Sequence, residues 1–229
     1  MLPRDCTAPE MVKRVPSAVD LTPTPAAVGP SNRTSYRKGT ATRERIITEA
    51  QSAIFDHGFN RTSSREVARR SGVTFGVIQH HFGTYEALLV ATMQRGTNGL
   101  VEALASAQVA GQTTREKLSF IADLLWEYFC KPEFISYVQI FANLVRDPDT
   151  SEQALKTIQR AVKRNETAWI ELMERTFGRK PDELVIRRVL FSTMQGLAID
   201  RWFEKRAPTY AKERRLMVDA FAAYMDKSP

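Results

Sequence analysis

The chain has 229 residues, 43% of them hydrophobic, and carries a net charge of +7. That is enough length and apolar content for one or two domains with buried cores. No apolar run reaches the roughly 18 residues of a membrane span, and residues 1–32 lack the apolar core of a secretory signal. A soluble, cytoplasmic protein without a membrane partner is therefore expected. The two cysteines, Cys6 and Cys130, lie far apart, one in a proline-rich stretch and one in an apolar helix. A disulfide framework is excluded on those grounds.

Residues 1–38 read as a disordered tail. Pro3, Pro9, Pro16, Pro23, Pro25 and Pro30 interrupt any helix there, and no aromatic side chain precedes Tyr36. The tail ends in Arg33, Arg37 and Lys38. Such a basic arm beside a DNA reader can reach a neighbouring groove or phosphates; an unstructured leader is the alternative.

From residue 41 the apolar spacing turns helical. Ile46, Ile47, Ala50, Ala53, Ile54 and Phe55 recur three and four residues apart, and Gly58 stops the helix. Ser63 and Glu66 form a Ser-x-x-Glu capping box for a second helix. Ser71-Gly72-Val73 is a tight turn, Thr74 can cap a third helix ending near Phe82, and Thr84 can cap a fourth. Beyond it, Thr113 with Glu116 caps a helix to about Cys130, and Phe134 to Arg146 forms the next. Thr150 with Gln153 caps a long helix to Phe177, Pro181 suits the start of another to about Lys205, and Pro208 opens the last, to about Met225. No strand or internal repeat is evident. About nine helices, three short ones and then a larger bundle, make an all-α chain.

The charge is concentrated on the short helices. Residues 33–95 hold ten basic and five acidic side chains, whereas residues 96–229 are nearly balanced. This is the footprint of a polyanion-binding module, although charge alone fits a solubilising surface as well. Residues 63–81 add the geometry: two short helices joined by a glycine-containing turn form a helix-turn-helix, whose second helix enters the DNA major groove. All three histidines (His57, His80 and His81) sit in this segment. No cysteine joins them, and adjacent His80 and His81 diverge on a helix, so no metal is expected.

The stretch Arg45-Ile46-Ile47, Ala50, Phe55, Gly58-Phe59, Thr62-Ser63, Val67-Ala68, Gly72-Val73-Thr74, Gly76-Val77-Ile78, His81-Phe82, Glu86-Ala87-Leu88-Leu89 resembles the N-terminal signature of TetR/AcrR regulators. The resemblance implies a DNA-binding domain at 39–83 and a helical effector-binding and dimerisation domain at 84–229. It places Arg65 at base edges or phosphate and Ser64 on the DNA backbone. Thr74, Phe75 and Val77 fall at the exposed start of the reading helix. Gln79, His80 and Tyr85 match further contact positions. Gln79 stands where the family has Tyr, and Tyr85 where it has Lys, which weakens both assignments and removes one cation.

The resemblance also implies a homodimer on double-stranded operator DNA, formed by the last two helices through Leu190, Met194, Gly196, Leu197 and Phe221. The middle helices would surround a pocket for a small apolar or amphipathic effector, with Trp126, Phe129, Tyr137, Phe141, Asn165, Trp169 and Met173 as candidate walls. Asn165 stands out, because it interrupts the apolar stripe Ile158-Val162-Asn165-Trp169-Leu172. A repressor released by its effector is the leading reading. An activator, or a regulator without a ligand, stays open, and a basic helical interaction module is a more distant possibility. Paired carboxylates, a nucleophile with a base, a phosphate-binding glycine loop and metal-ligand spacing are all missing, so neither an enzyme nor a cofactor is expected.

Overall fold

The computed structural model describes residues 30–178 and 183–227, and its regular structure there is entirely helical. In chain order the helices are α1 (Pro30–His57), a 3₁₀ turn (Phe59–Arg61), α2 (Ser64–Ser71), α3 (Phe75–Phe82), α4 (Tyr85–Ser106), α5 (Thr114–Phe129), α6 (Pro132–Arg146), α7 (Glu152–Phe177), α8 (Glu183–Phe203) and α9 (Ala211–Met225). Residues 1–29, most of the expected tail, lie outside the described residues, as does Pro181.

The first correction concerns residues 30–38. They continue α1 backwards to Pro30 instead of belonging to a tail. Proline is tolerated in the first turn of a helix, and the next proline after Pro30 is Pro132, so nothing in between stops propagation towards the N-terminus.

Helix ends follow local chemistry. The Ser63 side chain accepts from the Glu66 N–H, and that of Thr84 accepts from the Ala87 N–H. Thr113 and Glu116 form a complete reciprocal capping box on α5. The box expected at Ser63 is only half made, because the Glu66 carboxylate turns to the Arg69 guanidinium at 2.6 and 2.9 Å. Thr74 precedes α3, but its side chain makes no capping bond. The cap of α7 is Ser151, not Thr150; the Ser151 hydroxyl accepts from the Ala154 N–H at 3.2 Å. Helix α9 starts at Ala211, not at Pro208. Ala207 and Tyr210 have positive φ in the corner before it, and the Arg201 guanidinium donates to the carbonyls of Ala207 and Pro208.

Three apolar clusters hold the chain. Ile46, Ile47, Ala50, Val67, Ala68, Ile78, Leu88 and Ala91 unite α1–α3 with the start of α4. Ile54, Leu89, Met93, Ile140, Leu144 and Ile158 join α1, α4, α6 and α7. The largest cluster, centred on Leu125, Phe129, Phe134, Trp169 and Leu190, fills the body formed by α4–α9. Helix α4 contributes to all three, so it is the strut between the small N-terminal unit and the body.

Candidate DNA interface and ligand cavity

Helices α2 and α3 bury a narrow apolar side and expose the rest. Val67, Ala68, Ser71 and Ile78 point inward. Gly72, at φ +63°, closes α2 in the left-handed region, and the Val73 N–H returns to the Ala68 carbonyl at 3.0 Å. This fixes the angle at which α3 leaves. Arg65, Thr74, Gln79 and His80 are exposed, Ser64 and Val77 are half-buried, and Phe75 is 50% exposed. The seven belong to α2, α3 and the turn between them.

The arginines divide into two groups. Arg70 is turned inward and binds Asp56 at 2.7 Å, Glu49 at 3.5 Å and the His57 ring at 3.3 Å, clamping α2 to α1. Arg69 is paired with Glu66. Arg61 and Arg65 are exposed and enter no ion pair with another described residue. Arg37 and Lys38 are exposed on α1, so the expected basic arm is presented by a helix, not by a loose strand of chain. Beside His80, the His81 imidazole is held below its usual pKa by partial burial, by His80 and by Arg43, in that order.

Tyr85 does not lie where the sequence suggested. Its ring packs between two of the apolar clusters, and its hydroxyl donates to the Thr62 carbonyl at 2.8 Å. Burial pushes its pKa up to about 12. An amphipathic residue at this position serves the joint between α4 and the end of the 3₁₀ turn.

In the body, α4–α8 surround a small, partly open cavity. Thr97 and Leu100 of α4, Tyr128 and Phe129 of α5, and Phe134 and Tyr137 of α6 form one side; Val162 and Asn165 of α7 with Arg187, Phe191 and Gln195 of α8 form the other. Of the expected wall residues, Phe129, Tyr137 and Asn165 are on the lining. Trp126 lies elsewhere, under the Arg214 guanidinium at 4.9 Å and edge-on to Tyr210. Phe141 stacks behind Tyr137, at 5.8 Å. Trp169 and Met173 are buried core, with Trp169 edge-on to Phe191. A stripe of large side chains marks the inside of a bundle but not which part of it stays hollow.

The Asn165 Oδ1 and the Arg187 Nε are both buried without a hydrogen-bond partner. Sequence reasoning picked out Asn165 from its stripe. It missed Arg187, one of two adjacent arginines in a helix with no distinguishing spacing. Burial holds the Arg187 pKa below its ordinary value, and its guanidinium lies 5.2 Å from the centre of the Phe191 ring.

Residues 46–92 match the model for bacterial regulatory proteins of the tetR family. The HTH-type transcriptional regulator CymR of Pseudomonas putida is 23% identical over 191 residues, covering 82% of this chain and 92% of CymR. Residues 46–92 thus form an N-terminal domain of the tetR type, and the chain as a whole is similar to TetR-family regulators. This similarity supports a DNA-binding transcriptional regulator. The fold agrees: a transcriptional regulator from Rhodococcus sp. Rha1 superposes with a TM-score of 0.60 at 20% identity, covering 80% of this chain and 95% of its own. FadR of Bacillus subtilis, solved in complex with stearoyl-CoA, gives 0.58 at 14% identity, covering 76% and 96%.

In the body, α8 and α9 leave apolar side chains uncovered. Val185 is 57% exposed, Val189 48% and Leu216 72%. Gly196 is open, with no neighbour within 4 Å of where a Cβ would stand. This corrects the expected dimer residues: Leu190 and Met194 are fully buried within the chain, and Leu197 and Phe221 are half-buried. Of the five, Gly196 alone is exposed. The helical period was right, but the solvent-facing stripe runs along the opposite side of α8. Among the described residues no helix is long and apolar enough to cross a membrane.

Proposed function

We propose that this chain is a repressor that grips operator DNA as a homodimer and lets go when a small amphipathic or apolar effector enters the body. One observation carries the reading: α6 serves the cavity and the DNA-binding unit at once. Phe134 and Tyr137 line the cavity. From the same helix, the Ser136 hydroxyl donates to the Gln51 carbonyl at 2.9 Å. Gln139 accepts from the Phe59 N–H at 3.0 Å and donates to the Ile54 carbonyl at 3.4 Å. An occupant that displaces Tyr137 therefore acts on the end of α1 and the 3₁₀ turn, from which α2 departs. If the occupied cavity favours a different spacing of the two reading helices, effector and operator oppose each other by linkage. FadR, with its bound stearoyl-CoA, is a precedent in this fold for a small-molecule occupant.

On DNA, Arg65 takes a guanine edge or a phosphate, Phe75 and Val77 meet thymine methyls, and Thr74, Ser64, Gln79 and His80 bind the backbone or adjacent edges. Arg37 and Lys38 add phosphate contacts from α1. Tyr85 is left out of this set.

The test is a footprint of the full chain on DNA upstream of its own coding region, with excess competitor duplex. Protection of a near-palindromic site is expected, and a reporter behind that site should be silenced by the chain. Protection that follows DNA length and not sequence would instead favour a basic interaction module. Reporter induction would make the chain an activator.

A further inference from the structure

We infer that the cavity between α4 and α8 takes a small organic anion, a monocarboxylate on an apolar body the size of a ring or short chain, with the carboxylate on Arg187 and Asn165 beside it. The inference rests on the effector reading above and narrows it to a ligand class. Among the described residues, Arg187 is the one charged side chain on the lining, which includes no Asp or Glu. Its Nε is shut off from solvent with no partner among the described residues. An unsatisfied buried donor is costly, and more so on a charged group, so a matching acceptor is called for. The protein does not supply one. Glu166, the acid whose field reaches Arg187, is itself held by Lys163 at 2.8 Å.

The Arg187 guanidinium, 5.2 Å from the centre of the Phe191 ring, is a planar fork of donors that suits a carboxylate. Asn165, across on α7, has a buried oxygen without a donor. It can accept from a ligand hydroxyl. With its amide turned over, it offers N–H to the second carboxylate oxygen. Phe129, Phe134 and Tyr137 then enclose the apolar part. Aromatic walls by themselves would also attract a cation, but the positive charge of Arg187, with no acid among the described lining residues, disfavours one. The cavity is small, which limits the body to a modest size.

The experiment uses the full chain and a panel of matched probes, in which each carbon skeleton is present as acid, primary amide and amine. 3-Phenylpropanoate, 3-phenylpropanamide and 3-phenylpropylamine form one set. Binding is read by calorimetry and by the rise in melting temperature. Acids should bind at least about tenfold more tightly than their amides, and amines more weakly still. Arg187→Gln should erase the preference and Arg187→Lys should keep part of it. Asn165→Asp, which places a second charge in the cavity, should weaken acids and spare amides.

Hits spread evenly over amides and amines would overturn the assignment, as would acids that keep their affinity in R187Q or a panel in which no acid binds. If such neutral hits still release operator DNA, the effector reading stands without the anion. If nothing in the panel binds, or binding never affects the DNA complex, that reading loses its support separately. Should R187Q fail to fold, N165D decides between the outcomes.

Discussion

Tyr85 shows how one residue's direction changes its meaning. The resemblance puts it at a DNA contact; the structure spends its hydroxyl on the carbonyl of Thr62, a residue only 6% exposed. With a pKa near 12, the phenol remains a donor throughout the physiological range. Tyr85→Phe should leave that carbonyl without a partner and lower stability by about 1–3 kcal/mol, seen as a fall in denaturation midpoint. A phosphate contact predicts the reverse pattern, with the midpoint unchanged and DNA affinity alone reduced. His81 carries a pH dependence of definite sign. Its folded pKa lies below the ordinary value of 6.5, so the folded state holds fewer protons than the unfolded one. Its contribution is present in full above about pH 6.5 and is lost as pH falls through the depressed folded value. His81→Gln should therefore flatten the decline in stability on the acid side of pH 6.5, measured as denaturant midpoint against pH. An unchanged slope would place the charge-sensitive group elsewhere.

At the scale of elements, most of what fixes the helices is local, and so could be read from the chain. The box at Thr113, the stop at Gly72 and the proline at position 132 all depend on a few neighbouring residues, and the structure uses each. Features that depend on a distant partner were not legible. Ser151 displaces Thr150 as the cap of α7 because its backbone N–H and its hydroxyl both bind the Glu86 carboxylate on α4, 65 residues away. Arg187 joins the cavity only because α7 and α8 bring it there, and Leu190 is core because of the face α8 turns inward. The turn between α2 and α3 allows a clean test of a local cause. A Cβ on Gly72 would meet nothing within 4 Å, so Gly72→Ala adds only the strain of a left-handed alanine. That should cost about 1 kcal/mol, with Gly72→Asn costing less. Because Gly72 also sets the angle of α3, operator affinity should fall beyond what the stability loss explains. Equal midpoints for G72A and the unaltered chain would show that the turn is not held in this conformation.

For the molecule as a whole, the proposed homodimer would be formed through the apolar face on α8 and α9, which would set whether two reading helices work together. Val185, Val189 and Gly196 lie along α8 at spacings of four and seven, and Leu216 is exposed on α9. An exposed apolar surface of this kind on a chain with an ample core calls for a partner, and a two-fold operator calls for a second copy of the chain. The neighbouring residues provide an internal control. Val189 is 48% exposed while Leu190, one position on, is fully buried. Val189→Glu should leave the melting of the monomer fold nearly unchanged, within about 0.5 kcal/mol as for other surface substitutions. It should also convert the dimer to a monomer by light scattering, since it desolvates a charge on each side of the interface. Linking two half-site contacts raises affinity by about 10²–10⁴, so V189E should lose at least about a hundredfold on a full operator while binding an isolated half-site as before. Leu190→Glu should instead unfold the body, because its charge would be buried among Phe129, Trp169 and their neighbours. If V189E stays dimeric with full operator affinity, the two copies meet elsewhere, and the stripe on α8 needs a different partner.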